Sequence, residues 1–350
     1  MQYESIHTAE QPILAMISMT EGKLDLLTRV TGVDADSILA GASILRSGGL
    51  VAFPTETVYG LGADATNPLA VAKLYAAKGR PSFNPLISHV IDQSAAEKLG
   101  NFCDDARKLA LAFWPGPLTL VVPKSYNCDV CELALSGLET IAIRVPSHPV
   151  ARVLLEAVNR PVVAPSANRS GKISPTISEH VSHDLFGRID LILDGGRAEI
   201  GLESTIVYCG ENEVQILRPG GISSSLLSSV IGKSVKNGTD VGQSNDKLTA
   251  PGMLSSHYAP NAFVRLNADT VEVGESLLSF GEDEAKNAER AHKYLNLSPS
   301  SNLVEAAANL FQYLRILDTE GVRMIAVAPI PNIGIGEAIN DRLRRAASPR

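Results

Sequence analysis

The feature that most constrains this chain is the alternation of short apolar runs of strand length with longer runs of helical period. Four apolar residues, Leu50-Val-Ala-Phe53, follow Gly48-Gly49 and end at Pro54, which predicts a short buried strand. Just upstream, Asp34-Ala-Asp-Ser caps a helix whose apolar positions Ile38, Leu39, Ala42 and Leu45 recur at helical spacing. The mixture continues. Strands are predicted over 118–122, 140–145, 161–164, 191–194, 205–208 and 214–217, and helices over 68–77, 104–113, 149–158, 177–186 and 223–231. Helices and strands mixed in this way predict an α/β domain with helices packed on a sheet.

Between 232 and 250 the chain turns polar and Gly-containing, with few large apolar residues, and reads as a linker. Beyond it, strands are predicted over 263–266, 276–280 and 324–328, with helices over 303–319 and 336–347. Strands separated by helices predict a smaller, doubly wound (Rossmann-like) α/β domain. The expected organisation is a lead-in over 1–33, an α/β domain over 34–231, a linker over 232–260 and a second α/β domain over 261–350. Two domains suit 350 residues.

Several classes are disfavoured. With 31 Lys+Arg against 38 Asp+Glu the net charge is −7, which argues against a broad nucleic-acid surface but allows a local basic cleft. No apolar run approaches the ~20 residues of a membrane span, and the N-terminus lacks a signal-peptide pattern. The four cysteines are too few and scattered for a disulfide scaffold, so a reduced cytoplasmic protein is expected. The P-loop, H-E-x-x-H, G-x-S-x-G and kinase signatures are missing. Gly334-Ile-Gly336 lacks the rest of a dinucleotide fingerprint, and Cys128-x-x-Cys131 is half of a four-ligand zinc set.

Three polar clusters carry candidate chemistry. After the strand at 50–53 comes Pro54-Thr-Glu-Thr-Val-Tyr-Gly-Leu-Gly62, with Gly60 and Gly62 allowing close backbone approach. Lys78-Gly-Arg80 follows, stiffened by Pro81 and Pro85; along an extended loop both cations would face one side. That arrangement suits a polyphosphate or, alternatively, a solvated basic loop. The second cluster is Pro165-Ser-Ala-Asn-Arg-Ser-Gly171-Lys-Ile-Ser174, at a strand end where open sheets bind ligands, or simply a polar turn. In the third, Glu203 and Ser204 open a strand. Arg144 sits within an apolar strand and Arg218 at a strand end; each either pairs with a carboxylate or binds an anion.

In order along the chain, Pro54-Thr-Glu-Thr-Val-Tyr-Gly-Leu-Gly, Lys78-Gly-Arg-Pro-x-x-Asn-Pro-Leu, Phe113-Trp-Pro-Gly-Pro-Leu-Thr119, Ile143-Arg-Val-Pro, Ala164-Pro-Ser-Ala-Asn-x-Ser-Gly171 and Glu203-Ser-Thr-Ile-Val resemble the YrdC-type threonylcarbamoyl-AMP synthases. His257-Tyr-Ala-Pro260 and Ala338-Ile-Asn-Asp-Arg-Leu-Arg-Arg-Ala346 resemble the two-domain form of that family. The resemblance implies a YrdC-like twisted α/β sheet with a concave, positively charged cavity. It implies synthesis of threonylcarbamoyl-AMP and pyrophosphate from L-threonine, bicarbonate or CO2, and ATP with Mg2+, by a nucleotidyl transfer. A separate tRNA threonylcarbamoyltransferase complex then modifies the adenosine next to the anticodon, so tRNA contact here is expected to be weak or indirect.

Residue by residue, Lys78, Arg80 and Asn84 resemble the family's phosphate-binding set, with Lys78 and Arg80 catalytic. Thr140, Ser166, Ser174 and Arg218 match its other ATP contacts. Thr57, His89, Arg144, the backbone at Ala164, and Ser204 match positions that hold L-threonine. No metal-ligating residue and no general base is implied. The junction departs from the family: Leu254 and Ser256 stand where a lysine and an arginine are usual. Two further readings are a double-stranded RNA or tRNA-binding module without catalysis, suggested by the basic cavity, and a hydrogenase-maturation protein. The latter would carry an acylphosphatase domain and paired CxxC motifs, which this chain lacks.

Overall fold

The computed structural model describes residues 26–211, 213–237, 257–283 and 285–349. The first domain begins with β1 (Arg29–Thr31), α1 (Ala35–Arg46), β2 (Val51–Phe53), β3 (Gly60–Asp64), α2 (Pro68–Lys78), β4 (Ile87–His89), α3 (Gln93–Leu99) and α4 (Asp104–Phe113). It continues through β5 (Leu118–Pro123), α5 (Glu132–Leu135), β6 (Thr140–Arg144), α6 (Pro149–Val158), β7 (Val162–Val163) and α7 (Ser178–Leu185). It closes with β8 (Leu191–Leu193), β9 (Thr205–Cys209), β10 (Val214–Arg218), α8 (Ser224–Ile231) and β11 (Lys236–Asn237). Among the described residues these strands form one mixed sheet, in the order β1-β8-β2-β3-β7-β4-β6-β5-β9-β10-β11.

Local chemistry sets the helix ends. The Asp34 carboxylate accepts the Ser37 N–H and opens α1. Asn67 caps α2 and Pro68 occupies its first turn; Gly79, in the left-handed conformation, ends it. That stop leaves Lys78 in the last turn of α2.

The two sheet faces are covered unequally. On one, Leu61, Leu74, Leu109, Leu120, Ile143 and Val207 belong to a large apolar core with α2 and α4. On the other, α1 and α6 pack over Val51, Phe53, Val162 and Leu193 and go no further. Beyond them, only a small cluster of Ile87, Val121, Ala142 and Ile206 lies on this second face. Few apolar side chains cover this stretch of the second face.

The second domain comprises β12 (Phe263–Arg265), β13 (Glu275–Ser279), β14 (Tyr294–Asn296), α9 (Leu303–Leu317), β15 (Met324–Val327) and α10 (Gly336–Ala347). Its strands run parallel in the order β12-β15-β13-β14, the doubly wound arrangement expected from the sequence. Its core does not stop at the domain edge. Phe311, Ala306 and Tyr258 share one apolar cluster with Val58, Ile173 and Leu202 of the first domain. The second domain therefore sits on the loops that border the open stretch.

Three expectations change. Gly60 and Gly62 are strand residues of β3. A Cβ on Gly62 would lie 2.9 Å from the Phe53 ring and 3.2 Å from Val162, so this glycine admits packing of neighbouring strands. Gly62→Ala is expected to destabilise the chain by about 1–3 kcal/mol through overpacking, read as a lowered unfolding midpoint; an unchanged midpoint would contradict this. Lys78 and Arg80 do not alternate along an extended loop, because Lys78 ends a helix and is buried. Finally, the first sheet gains an edge strand at Arg29–Thr31, inside the expected lead-in, and another at Lys236–Asn237, past the expected boundary. The junction departures at Leu254 and Ser256 lie outside the described residues.

Candidate active site

Strand pairing builds one row of side chains. β4 pairs with β6 so that His89 lies beside Arg144; β6 pairs with β5, placing Arg144 beside Thr119. Thr119 pairs with Ile206 on β9, and Arg218 pairs with Ile206 across a register shift in β10. Directly paired residues share a sheet face. His89, Arg144, Thr119 and Arg218 thus line up at one end of the thinly covered face, although they come from four separate strands.

Each member of the row is held by specific bonds. Arg144 Nη2 donates to Glu56 Oε1 at 2.6 Å, with both side chains 5% exposed. Glu56 also accepts the backbone N–H of Ser147 at 3.1 Å. Burial alone would raise the Glu56 carboxyl, but the Arg144 guanidinium outweighs it and holds the group below the usual carboxylate range. The sequence left Arg144 to choose between an ion pair and an anion. It makes the ion pair, yet its buried Nε–H has no acceptor. His89 is pushed down to about 3 by burial and by Arg144, so its ring is neutral at physiological pH. Ser204 Oγ lies 2.7 Å from Thr119 Oγ1, and Arg218 donates to both the carbonyl and the hydroxyl of Ser204.

The cations of the Lys78-Gly-Arg80 stretch are equally fixed. The Lys78 ammonium donates to the carbonyls of Ser166 and Asn168 and, among the described residues, makes no ion pair. Burial, with the Arg80 charge second, holds it well below the usual lysine range. A buried ammonium in that condition gains from an arriving anion. Arg80 Nη2 bonds Asn84 Oδ1 at 2.7 Å and the Pro85 carbonyl at 2.9 Å, which ties the loop 80–85 to its own guanidinium.

Thr57, Arg80, His89, Arg144, Ala164, Ser166, Ser204 and Arg218, all singled out from sequence, line one cavity. Asn84 joins through Arg80, Lys78 through the Ser166 carbonyl, and Ser174 through its bond to the Glu203 carboxylate. Thr140 is not brought in: it stands at the other end of β6 from Arg144, ~13 Å along the strand, and pairs with Pro123. The cavity holds only about 50 Å³, because His257 and Tyr258 also line it. Typical small-molecule pockets hold roughly 300–1,000 Å³.

Sequence reasoning missed the groups that tie this cavity to the second domain. Arg342 of α10 is fully buried; its Nε donates to Glu203 Oε2 at 2.9 Å and its Nη1 to the Pro219 carbonyl at 2.9 Å. Its guanidinium lies over the Tyr258 ring, 5.2 Å from the centroid. Burial would raise the Glu203 carboxyl, but Arg342 and Arg218 bring it down to about 2. The sequence offered Arg342 within the motif 338–346 that resembles the two-domain form, with nothing to say that it reaches Glu203.

A mixed α/β sheet whose thinly covered face ends in a buried row of polar and cationic side chains, under a second parallel α/β domain, defines a two-domain α/β protein with a candidate site at the domain junction. Known proteins narrow that class. The Sua5, YciO and YrdC family model, described as telomere recombination, matches residues 43–220. The model described as threonylcarbamoyl-AMP synthase, C-terminal domain, matches residues 222–348. A Bacillus subtilis threonylcarbamoyl-AMP synthase is 42% identical over 89% of this chain and 93% of its own length. A Pyrococcus abyssi threonylcarbamoyl-AMP synthase is 42% identical over 89% and 94%. The crystal structure of P. abyssi Sua5 complexed with L-threonine superposes with a TM-score of 0.81 at 38% identity, covering 92% of this chain and 97% of that one. The chain belongs to the threonylcarbamoyl-AMP synthase family. Among the described residues, no helix is long and apolar enough to cross a membrane.

Proposed function

We propose that this protein joins L-threonine, bicarbonate or CO2, and ATP into threonylcarbamoyl-AMP, releasing pyrophosphate. It acts in the cytoplasm and feeds a transferase complex that modifies the adenosine next to the anticodon of tRNA. One observation carries the reading: Arg144, His89 and Ser204 line one cavity with Arg80 and Arg218, and Lys78 bonds the Ser166 carbonyl in its wall. Arg144 offers an open Nε–H beside neutral His89 and Ser204, a setting for a carboxylate and a hydroxyl. Arg80, Lys78 and Arg218 supply positive charge for a triphosphate. The P. abyssi relative crystallised with L-threonine supports the first assignment.

The threonine amine takes up CO2 to give a carbamate. A carbamate oxygen then attacks the α-phosphate of ATP, and pyrophosphate leaves. Such a transfer rests on positioning and charge neutralisation rather than on a protein nucleophile. Among the described residues no group of three or more His, Cys, Asp or Glu is placed to hold a metal. Mg2+ would arrive with ATP and would supply further charge neutralisation at its phosphates. ATP entry requires His257 and Tyr258 to move, since the cavity they border is too small for a nucleotide. The test is pyrophosphate release by the purified protein with ATP and Mg2+. It is expected only when L-threonine and bicarbonate are both present; release independent of either one, or none with both, refutes the reading.

A further inference from the structure

A second cavity, of about 770 Å³, lies between the domains. The segment from His257 to Asn261 separates it from the first: His257 and Tyr258 line one cavity, and Ala259, Pro260 and Asn261 the other. The Ala259 N–H, bonded to the Gly171 carbonyl at 2.9 Å, pins this partition to the first domain. Lys78 stands at the junction. It lines the second cavity, while its ammonium bonds the carbonyl of Ser166, which lines the first.

The charges on the second wall are unbalanced in a specific way. Its cations are Lys78, Arg169, Lys172 and Arg315; its carboxylates are Glu179, Asp184 and Asp318. Arg315 is spent on Asp184 at 2.8 Å. Asp318 accepts the backbone N–H groups of Asn261 and Ala262, and Glu179 accepts the Ser178 hydroxyl. His183 bonds Asp184, and burial pushes His180 down to about 4, so it adds no charge at neutral pH. Lys78 bonds only carbonyls, and Lys172 bonds only the Asn261 amide oxygen. Among the described residues Arg169 has no bonded acceptor for its guanidinium; its Nε is buried, and its Nη2 lies 3.5 Å from where a Cβ on Gly79 would be. The wall's four cations exceed its three carboxylates by one charge, and among the described residues Lys78, Arg169 and Lys172 make no ion pair, although the Asp184 charge reaches Lys78. A buried N–H without an acceptor is costly, and an arriving anion removes that cost.

We propose that this cavity is a second polyphosphate site, with Arg169 and Lys172 as its grip and Lys78 as its inner end. Its ligand is inorganic pyrophosphate, held on the way out while the 257–261 segment still closes the first cavity. The identity of the anion rests on the synthase reading; the existence of the site does not.

Equilibrium dialysis of the full chain against millimolar inorganic pyrophosphate tests it without turnover. The unaltered chain is expected to bind two per chain, and Arg169→Ser/Lys172→Ser one. The single variant Arg169→Ser, which gives up no bond in the fold, is expected to weaken the outer site at least ~10-fold. One pyrophosphate per chain that both variants keep unweakened, or two bound unweakened in both variants, overturns the proposal. So does a loss of tRNA affinity in the variants while pyrophosphate stoichiometry stays at one, which would assign the cations to RNA. Should the unaltered protein bind two pyrophosphates yet release none from ATP with threonine and bicarbonate, the synthase reading falls and the second site stands.

Discussion

Lys78→Ala is expected to lower threonine- and bicarbonate-dependent pyrophosphate release by at least ~100-fold, the scale of removing one group that stabilises developing charge. The argument is structural. Lys78 is 2% exposed, its ammonium is held by two backbone carbonyls, and among the described residues it makes no ion pair. A cation buried without a partner is retained at a cost in stability, and a triphosphate is the partner the proposed reaction brings. Threonine binding should change little, because Lys78 does not line the cavity that holds His89, Arg144 and Ser204. Turnover within about threefold of the unaltered protein would remove Lys78 from the charge-stabilising set.

Arg342→Ala is expected to destabilise the docked pair of domains by about 3–5 kcal/mol, the usual result of leaving one half of a buried ion pair behind. Glu203 would keep the Ser174 hydroxyl but lose the guanidinium that bonds it at 2.9 Å. The pH dependence follows with a definite sign. The Glu203 carboxyl lies at about 2 in the folded protein against an ordinary 4.5. Its contribution is complete above pH 4.5 and is lost as pH falls toward 2. Without Arg342 the folded value rises, so that contribution shrinks and acid unfolding begins at higher pH. Denaturant unfolding of Arg342→Ala, Glu203→Gln and the double variant measures the coupling. Glu203→Gln in the Arg342→Ala background should restore part of the stability. Strict additivity of the two changes would show that the pair is not coupled.

The helix ends were legible in the sequence because capping is local. Asp34 announces α1 within three residues, and the helical run from Pro68 announces α2. The apolar runs announced β2, β5 and β9 for the same reason. β3 was not legible: its sequence Gly-Leu-Gly-Ala-Asp has two glycines where a strand normally shows side chains, and only its neighbours Phe53 and Val162 explain them. The edge strands at Arg29–Thr31 and Lys236–Asn237 are too short to carry a pattern, and partners elsewhere in the chain define them.

The candidate site divides along the same line. The sequence by itself determined which residue types lie in the polar stretches between the elements: the Thr-rich turn at 54–57, the Lys78-Gly-Arg80 stretch, the Ser-Asn loop at 165–168, and Ser204 with Arg218. Only the tertiary structure decided who faces whom. Arg144 meets Glu56 across 88 residues, and Arg342 meets Glu203 across 139. Register across four strands set the row of His89, Arg144, Thr119 and Arg218 and kept Thr140 out of it. Caps and apolar periods are written in adjacent residues, whereas register and ion pairing depend on which distant segments the hydrophobic cores bring together. That is why the polar clusters could be read before folding, and the bonds between them only afterwards.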